Sequence, residues 1–361
     1  MQGADLKRLA RVATLSKVDY ANFPLHLIAS GDSVVAKYAG TYSVGRLELL
    51  CPGNFDIYVD PHHFAEHARM FENQTEVQVS KTTGGQLRLR SADIELALQP
   101  VNPDDRGIEL AEDATASGIE LQSDDLLEEI KLASEFTARS FSNRVLTGLR
   151  LVTQNDGVVI EAMDGFSCSY TSKIPLGFPP DDPIDVVIPA YDFVLGVEMT
   201  QIAGSSVKLY KPTIEAPDGK RSQNRIGIET SIGNFQCALL SGEWPDFSSL
   251  HNLDYADATK LLVDTEKLKI AVQSSGIFQA RWITLRPAQG KTILHVNEDS
   301  GQMAIALDGP AVSSNRRLRI DSITNMSKLG AIVELSVPLD EGSPIKALSG
   351  LRTMWLNPLV Q

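Results

Sequence analysis

The sequence predicts an α+β fold assembled from three similar units. Three amphipathic segments of helical periodicity begin near residues 5, 125 and 264. Each is followed by two apolar segments of alternating pattern, a second helical segment, and a closing pair of alternating segments. Because alternation produces strands with one buried face, each unit should hold two helices packed against antiparallel sheet.

The chain length agrees with three such units, since 361 residues give about 120 for each. Polar stretches near residues 115–123 and 248–258 separate them. We therefore expect domains at residues 1–120, 121–250 and 251–361. The second helix of each unit is predicted at 61–72, 190–203 and 322–330.

The first helix of the first unit carries basic residues away from its apolar stripe. In residues 5–14, Lys7, Arg8 and Arg11 fall on a different face from the leucines. Residues 5–17 contain four basic residues and one acidic residue, a local charge of +3. The whole chain has 33 basic and 46 acidic residues, so its net charge is −13.

The second unit repeats this arrangement. Its first helix is predicted over 125–141, beginning at Asp125, and it stacks Lys131 and Arg139 on one face at multiples of four residues. Arg144 follows shortly after the predicted end of this helix.

The third unit opens at Asp264, which is a suitable N-cap, and its helix should end near Gly276. Lys267 and Lys269 lie outside its apolar stripe. A single basic face of this kind usually indicates only a solvated helix surface. Its recurrence in three units indicates a shared role.

Hairpin turns are predicted at glycine and aspartate positions between the alternating segments. The first hairpin of each unit should turn at Gly31-Asp32, at Asp156-Gly157 and at Gly290. The closing hairpins should turn at residues 91–93, 231–234 and 349–350.

The composition is that of a folded protein, with 43% hydrophobic and 22% charged residues. No stretch approaches the roughly 20 apolar residues of a membrane span, and the first residues lack the apolar core of a signal peptide. We therefore expect a cytoplasmic protein. Cys51, Cys168 and Cys237 are widely separated, which predicts buried small hydrophobes, with a reactive thiol as the alternative.

Several short stretches, in order and at matching spacing, carry a resemblance to a known family. They are 143–151 (NRVLTGLRL), 161–165 (EAMDG), 187–190 (VIPA), 240–247 (LSGEWPDF), 343–345 (SPI) and 357–359 (NPL). Together they resemble the bacterial DNA polymerase III β subunit, the sliding clamp. The resemblance covers nearly the whole chain.

The resemblance implies three topologically similar clamp domains and two chains closed head to tail into a ring, with helices inside and sheet outside. Such a homodimer encircles duplex DNA independently of sequence and tethers the polymerase as a processivity factor, without catalysis, cofactor or metal. Its other partners are the clamp loader and repair proteins. The candidate DNA-binding residues are Lys7, Arg8, Arg11, Lys131, Arg139, Arg144, Lys267 and Lys269.

The resemblance also implies a hydrophobic groove that binds short peptide motifs of partner proteins. In place of the family's His-Arg-Leu, this chain has Phe166-Ser167-Cys168, and it ends in Leu-Val-Gln, which marks a divergent member. Carried over by position, the groove residues are Leu146, Gly148, Met163, Gly165, Phe166, Cys168, Pro245, Leu250, Leu356, Pro358 and Leu359.

A metal-dependent hydrolase of α+β fold is the alternative. His63 and His67 are four residues apart, as a metal-binding pair on a helix requires, although Phe64 occupies the place of the glutamate that follows the first histidine in metalloproteases. The sequence contains no phosphate-binding glycine loop and no G-x-S-x-G motif.

Overall fold

The computed structural model describes residues 1–12, 23–39, 43–102, 118–139, 143–215 and 221–359. Contacts divide the chain into two compact units. The first comprises Met1–Leu127, Pro180–Ile184 and Ile188–Leu239, and the second comprises Glu128–Pro179, Asp185–Val187 and Leu240–Gln361. The helices of the described residues are α1 Gly3–Val12, α2 Pro61–Ala68, α3 Ser123–Ser134, α4 Ala190–Thr200, α5 Ser248–His251, α6 Thr265–Phe278 and α7 Ile320–Met326.

The described strands pair in antiparallel fashion, which confirms the α+β class. In chain order they are β1 Leu25–Ala39, β2 Ser43–Val59, β3 Gln78–Lys81, β4 Leu87–Arg90, β5 Glu95–Leu98, β6 Gly118–Gln122, β7 Gly148–Gln154, β8 Gly157–Met163, β9 Cys168–Pro175, β10 Asp185–Pro189, β11 Ser206–Tyr210, β12 Ile214–Glu215, β13 Arg221–Ser222, β14 Arg225–Thr230, β15 Gly233–Ala238, β16 Thr259–Asp264, β17 Trp282–Ala288, β18 Lys291–Glu298, β19 Gly301–Ala306, β20 Arg316–Arg319, β21 Ile332–Val337, β22 Ile345–Ser349 and β23 Arg352–Leu356.

The first unit is built on a six-stranded sheet in the order β1-β2-β15-β14-β11-β6, with a smaller sheet β3-β4-β5. Helix α4 packs against β2, β14 and β15, and α1 contacts both α2 and α4. The buried side chains of Leu6 and Leu9 confirm the predicted apolar stripe of α1. Residues 13 and 14 of that predicted helix lie outside the described residues.

The second unit contains an eight-stranded sheet in the order β10-β7-β8-β9-β23-β22-β21-β16 and a four-stranded sheet β19-β18-β17-β20. Helix α6 packs against β17, β18 and β19, while α7 packs against β17 and β20. The predicted N-cap of α6 is confirmed, because the Asp264 carboxylate accepts the Glu266 N–H at 2.9 Å.

Most of the predicted hairpins and second helices are confirmed. Turns at Asp156-Gly157 and Gly290 join β7 to β8 and β17 to β18. The closing pairs β4–β5, β14–β15 and β22–β23 also form as expected. Helices α2, α4 and α7 occupy the predicted segments but end three or four residues earlier.

The hairpin predicted at Gly31-Asp32 is wrong. Strand β1 runs straight through these residues and pairs with β2 on both sides of them. The register shifts between Gly31, whose φ is +68°, and Ser33, because the single residue Asp32 of β1 faces two residues of β2, Cys51 and Pro52, in a β-bulge. A positive φ is accessible to glycine at little cost, so the same residue suits a turn or a bulge.

The helix predicted over 125–141 is also partly wrong. Helix α3 begins two residues earlier than expected, at Ser123, and ends at Ser134. The hydroxyls of Ser134 and Thr137 donate to carbonyls three residues back, and the Ala138 N–H bonds to the Leu146 carbonyl at 2.8 Å. These bonds replace those of a continuing helix. Residue 141, predicted on the buried stripe, lies outside the described residues.

The cysteine prediction is confirmed, because Cys51, Cys168 and Cys237 are all buried and none is in a disulfide. Within the described residues, no helix combines the length and the apolar character needed to cross a membrane.

Asp192 in the first turn of α4 generates a prediction about stability. Burial raises the pKa of this carboxyl from 3.8 to about 6. Ionisation of the folded protein is therefore penalised, so stability should fall as the pH rises from 3.8 to 6. Replacing Asp192 with Asn should remove the penalty and stabilise the protein above pH 6 by about 1–3 kcal/mol.

Urea unfolding at a pH below 3.8 and at a pH above 6 measures this effect. Asp181→Asn, a change at an exposed loop carboxylate, is the matched control and should show no such pH-dependent gap. A difference in the free energy of unfolding between Asp192→Asn and the wild type that is the same at both pH values would contradict the expectation.

Candidate functional site

The predicted cations of the first unit project from α1. Lys7 donates from Nζ to the Asn73 side-chain oxygen at 2.9 Å. Arg11 pairs with Glu198 of α4, with 3.5 Å between nitrogen and carboxylate oxygen. Arg8 is half-buried beside them. The helix therefore presents three basic side chains, of which one already faces a carboxylate.

The predicted cations near α3 are arranged differently from the expectation. Lys131 is exposed in the last turn of α3. Arg139 lies beyond the end of the helix, so the prediction that it shares a helix face with Lys131 is wrong. Arg144 begins a 3₁₀ turn, Arg144–Thr147, and both arginines are exposed.

The two predicted cations of α6 are bound to acidic neighbours. Lys267 Nζ lies 3.1 Å from an Asp308 carboxylate oxygen, and Lys269 Nζ lies 2.6 Å from one of Glu266. Exposed pairs of this kind contribute about 0–1 kcal/mol. They can therefore be exchanged for contacts to another anion.

Three of the predicted groove residues, Met163, Cys168 and Leu356, lie at the ends of β8, β9 and β23, beside a tight turn that Asp164 organises. Its Oδ1 atom accepts the backbone N–H groups of Phe166, Ser167 and Cys168 at 2.8, 2.8 and 3.1 Å. Burial pushes the pKa of Asp164 upward, but these bonds and the Ser167 hydroxyl outweigh burial, so the pKa lies below its ordinary value. The ionised carboxylate is thus an integral part of the turn.

Gly165 occupies this turn for a steric and a conformational reason. Its φ of +80° disfavours other residues, and a Cβ atom there would lie 2.8 Å from Leu146 Cδ1. Leu146 and Gly165 are therefore in contact, as the predicted groove requires.

The last strand meets the same turn. Cys168 pairs with Leu356 across β9 and β23. Asn357 donates its N–H to the Ser167 carbonyl and its side-chain amide to the Phe166 carbonyl, both at 2.9 Å. The Phe166 ring remains 79% exposed. These bonds join residues 165–168 to residues 356–357.

The other predicted groove residues also belong to the chain's second unit. Pro358 and Leu359 line a cleft of about 380 Å³. Pro245 and Leu250 flank Phe247, whose ring is 6.3 Å from that of Trp355, the residue before Leu356. Met163 ends β8, and Gly148 begins β7.

An aromatic cluster adjoins these residues and was not predicted. Trp244, Phe247, His251 and Trp355 form a chain of ring contacts, with the His251 ring edge-on to Trp355 at 4.9 Å. Trp355 is only 1% exposed. Two members, Trp244 and Phe247, belong to a Trp-Pro-Asp-Phe motif that is visible in the sequence. Trp355 is far away in the chain, in β23, whose pairing with β9 no local sequence pattern predicts.

The reactive-thiol alternative has no support at Cys168. Burial raises its pKa to about 12, and the charge of Asp164 adds to the effect. The thiol is therefore protonated at neutral pH and unreactive.

The hydrolase alternative has no support either. His67 Nδ1 is 2.6 Å from the His63 carbonyl oxygen, and His62 is 3.2 Å from Glu66. Across the part of the chain that is described, no group of three or more His, Cys, Asp or Glu side chains could hold a metal ion.

The Asp164 turn generates a prediction. Asp164→Asn should lower the free energy of unfolding at neutral pH by about 1–3 kcal/mol, because three N–H groups lose a charged acceptor. Since the folded pKa is depressed below 3.8, this stabilisation exists above that value and is lost as the pH falls through the folded pKa.

Chemical denaturation at neutral and acid pH checks this. The matched control is Asp254→Asn, because Asp254 accepts a single backbone N–H in an exposed turn and should matter less. Equal losses in the two variants, or a loss that persists in acid, would contradict the role assigned to the turn.

Comparison with solved structures identifies the fold. A DNA polymerase sliding clamp from Bacillus subtilis is 17% identical, with a TM-score of 0.77 over 100% of this chain and 98% of that one. A sliding clamp (DNA polymerase III subunit beta) from Pseudomonas aeruginosa, bound to griselimycin, is 15% identical, with a TM-score of 0.79 and the same coverage. The beta subunit from DNA polymerase of Streptococcus pyogenes is 16% identical, with a TM-score of 0.76 over 99% and 97%.

No profile of a known protein family and no curated protein matches the chain. The fold expected from the sequence is confirmed, since the chain has the fold of these sliding clamps along its whole length.

Proposed function

We propose that this chain is a DNA sliding clamp without catalytic activity, a homodimeric ring that encircles duplex DNA and tethers the replicative polymerase. The observation that carries the proposal is the fold similarity, which extends over at least 97% of each chain compared. A partial match would indicate a shared domain only. Its partners would be the polymerase, the clamp loader and other proteins that carry short clamp-binding motifs.

The division into clamp domains 1–120, 121–250 and 251–361 is part of this proposal. Each range contains a pair of longer helices: α1 and α2, α3 and α4, α6 and α7. The recurrence of two helices with antiparallel strands supports a threefold internal repeat.

The basic residues on and beside the first helix of each range would face DNA. Charges within about 8 Å of the phosphates act on them strongly at physiological salt, whereas more distant acidic residues are screened. Phosphate contacts carry no sequence information, which suits a protein that slides. The weak pairing of half-buried Lys267 and exposed Lys269 with surface carboxylates supports this role.

Arg139 and Arg144 provide the test of DNA binding. We expect the Arg139→Ala/Arg144→Ala double variant to bind duplex DNA more weakly, whatever the DNA sequence. The slope of the log binding constant against the log salt concentration should become shallower by about two, because two phosphate contacts are lost. Both side chains are exposed, so thermal stability should change little. Fluorescence anisotropy across a salt series measures the effect.

Arg46→Ala, in an exposed pair with Glu48 on β2, is the matched control and should leave DNA binding unaltered. Unchanged affinity and salt slope in the double variant would show that DNA contacts other residues.

Ring closure needs two different surfaces, one from each unit, and the open sheet edges offer them. Strand β5 ends the small sheet of the first unit, and β19 ends the four-stranded sheet of the second. Helix α6 packs against β19 and carries Ile277, whose side chain is 74% exposed. An open strand edge beside an exposed apolar residue favours association with another chain.

Ile277→Asp should therefore shift the protein from dimer to monomer. Size-exclusion chromatography with light scattering should give twice 39.3 kDa for the wild type and 39.3 kDa for the variant at low concentration. Leu50→Asp, at an exposed leucine on β2, is the control and should remain dimeric. A monomeric wild-type protein would overturn the ring.

The surface joining residues 165–168 to 356–359 would be the partner groove. Its support is the network of Asp164 and Asn357, which holds both segments rigid. Phe166, Ser167 and Cys168 and the neighbouring aromatic cluster give it a different lining from the family's, so it would prefer different peptides.

A further inference from the structure

The four-stranded sheet of the second unit has one covered and one open face. Helices α6 and α7 cover the face that carries buried Ile283, Leu285, Leu294, Val296 and Leu318. All four strands are described, and none of the outward positions is Asp or Glu. These positions are Trp282, Thr284, Arg286, Ala288, Lys291, Ile293, His295, Asn297, Gln302, Ala304, Ala306, Arg317 and Arg319.

The arginines of this open face are neighbours. Arg317 pairs with Thr284 and Arg319 with Trp282 across β20 and β17, which places Arg286 diagonally from Arg317. Diagonal neighbours in an antiparallel pair are about 7–8 Å apart. The Arg317 guanidinium also lies 5.2 Å from the Trp282 ring centroid, a cation–π contact.

These arginines lack the carboxylate partners that other basic residues of the second unit have, such as Lys267 and Arg352. Among the described residues, Arg286, Arg317 and Arg319 form no ion pair, and the buried Nε atom of Arg286 has no hydrogen-bond acceptor. The chain has 46 acidic residues, so acidic residues are missing from this face specifically. Grouped like charges without partners favour the binding of an anion.

A cleft of about 380 Å³ borders the open face along β20. Arg317 forms part of its wall, and Pro287, Pro358 and Leu359 supply apolar surface. The exposed Glu341 carboxylate lies 3.8 Å from the buried Arg316 guanidinium at the same cleft. The cleft therefore offers an apolar side chain the surface of Pro287, Pro358 and Leu359, and it offers a carboxylate the guanidinium of Arg317.

We propose that this face, which we call the basic sheet face, docks an extended acidic segment of a partner protein. Its carboxylates pair with Arg286, Arg317 and Arg319, and an apolar side chain enters the cleft. Arginine suits this role because its planar guanidinium binds carboxylates in a bidentate manner. The inference does not depend on ring closure, although the cleft shares Pro358 and Leu359 with the proposed partner groove.

A single-stranded nucleic acid fits the basic sheet face less well. Such ligands are bound by aromatic rings on which successive bases stack. Only two aromatic rings of the four described strands lie on this face, Trp282 and His295, and Arg317 already covers the Trp282 ring.

The test measures binding of a short fluorescein-labelled peptide of alternating Glu and Val by anisotropy, with the full-length protein. A peptide with Gln in place of Glu and a labelled oligothymidylate are the comparison ligands. We expect the acidic peptide to bind best, binding to weaken with salt, and Arg317→Gln/Arg319→Gln to weaken it about tenfold. Arg69→Gln, at an exposed arginine of the first unit, is the control and should bind normally.

The double variant should keep the dimer mass and duplex DNA binding, which separates this proposal from the proposed function. If that variant does not fold, Arg319→Gln alone, at an exposed position, should still weaken binding. Equal binding of the Glu and Gln peptides, binding that survives the substitutions, or preferential Arg-dependent binding of oligothymidylate would overturn the proposal.

Discussion

The ion pair between Glu129 and Arg352 is the interaction on which both candidate surfaces of the second unit depend. Arg352 donates from Nε to Glu129 at 2.8 Å, pairs with Glu128, and donates to the Leu329 carbonyl. The second oxygen of Glu129 accepts the Tyr170 hydroxyl at 3.0 Å, and Tyr170 stacks on Phe136. With side-chain exposures of only 14% and 18%, the pair is satisfied by hydrogen bonds on both sides. Losing one partner of such a pair costs about 3–5 kcal/mol.

This pair links α3 to β9 and β23, and each linked element carries a different surface. The end of α3 leads to Lys131 and Arg139, which are proposed to face DNA. Strand β9 begins in the Asp164 turn, and β23 leads to Leu356 and the cleft. This largely buried pair thus ties the element that leads to the basic residues to the two strands that lead to the proposed groove.

Under the proposed function, the paired state of the basic helix residues would let the chain hold DNA loosely. Arg11, Lys267 and Lys269 each pair with a carboxylate, and the two lysine pairs, which are largely exposed, contribute little energy. Phosphates passing nearby can compete for these cations without a large barrier. The basic sheet face has the opposite character, because its arginines have no competing carboxylates among the described residues. If both proposals hold, the two basic surfaces would serve different ligands: DNA in transient, sequence-independent contact on one, and a stably docked acidic segment on the other.

Local sequence determined the α+β class, most hairpins, the Asp264 cap and the stripe of α1, because period, turn residues and caps act within a few residues of one another. The hairpin predicted at Gly31 is wrong because a glycine suits a β-bulge as readily as a turn. The helix end predicted at residue 141 is wrong because the Ala138 N–H bonds to the Leu146 carbonyl and not to a helical one. The stretches that resemble the sliding clamps include Asp164, whose turn the structure forms, while the groove implied by that resemblance stays a prediction. The Trp355 cluster, the Glu129–Arg352 pair and the basic sheet face required the tertiary structure, because each joins strands or helices that are distant in the chain and whose pairing no local pattern encodes.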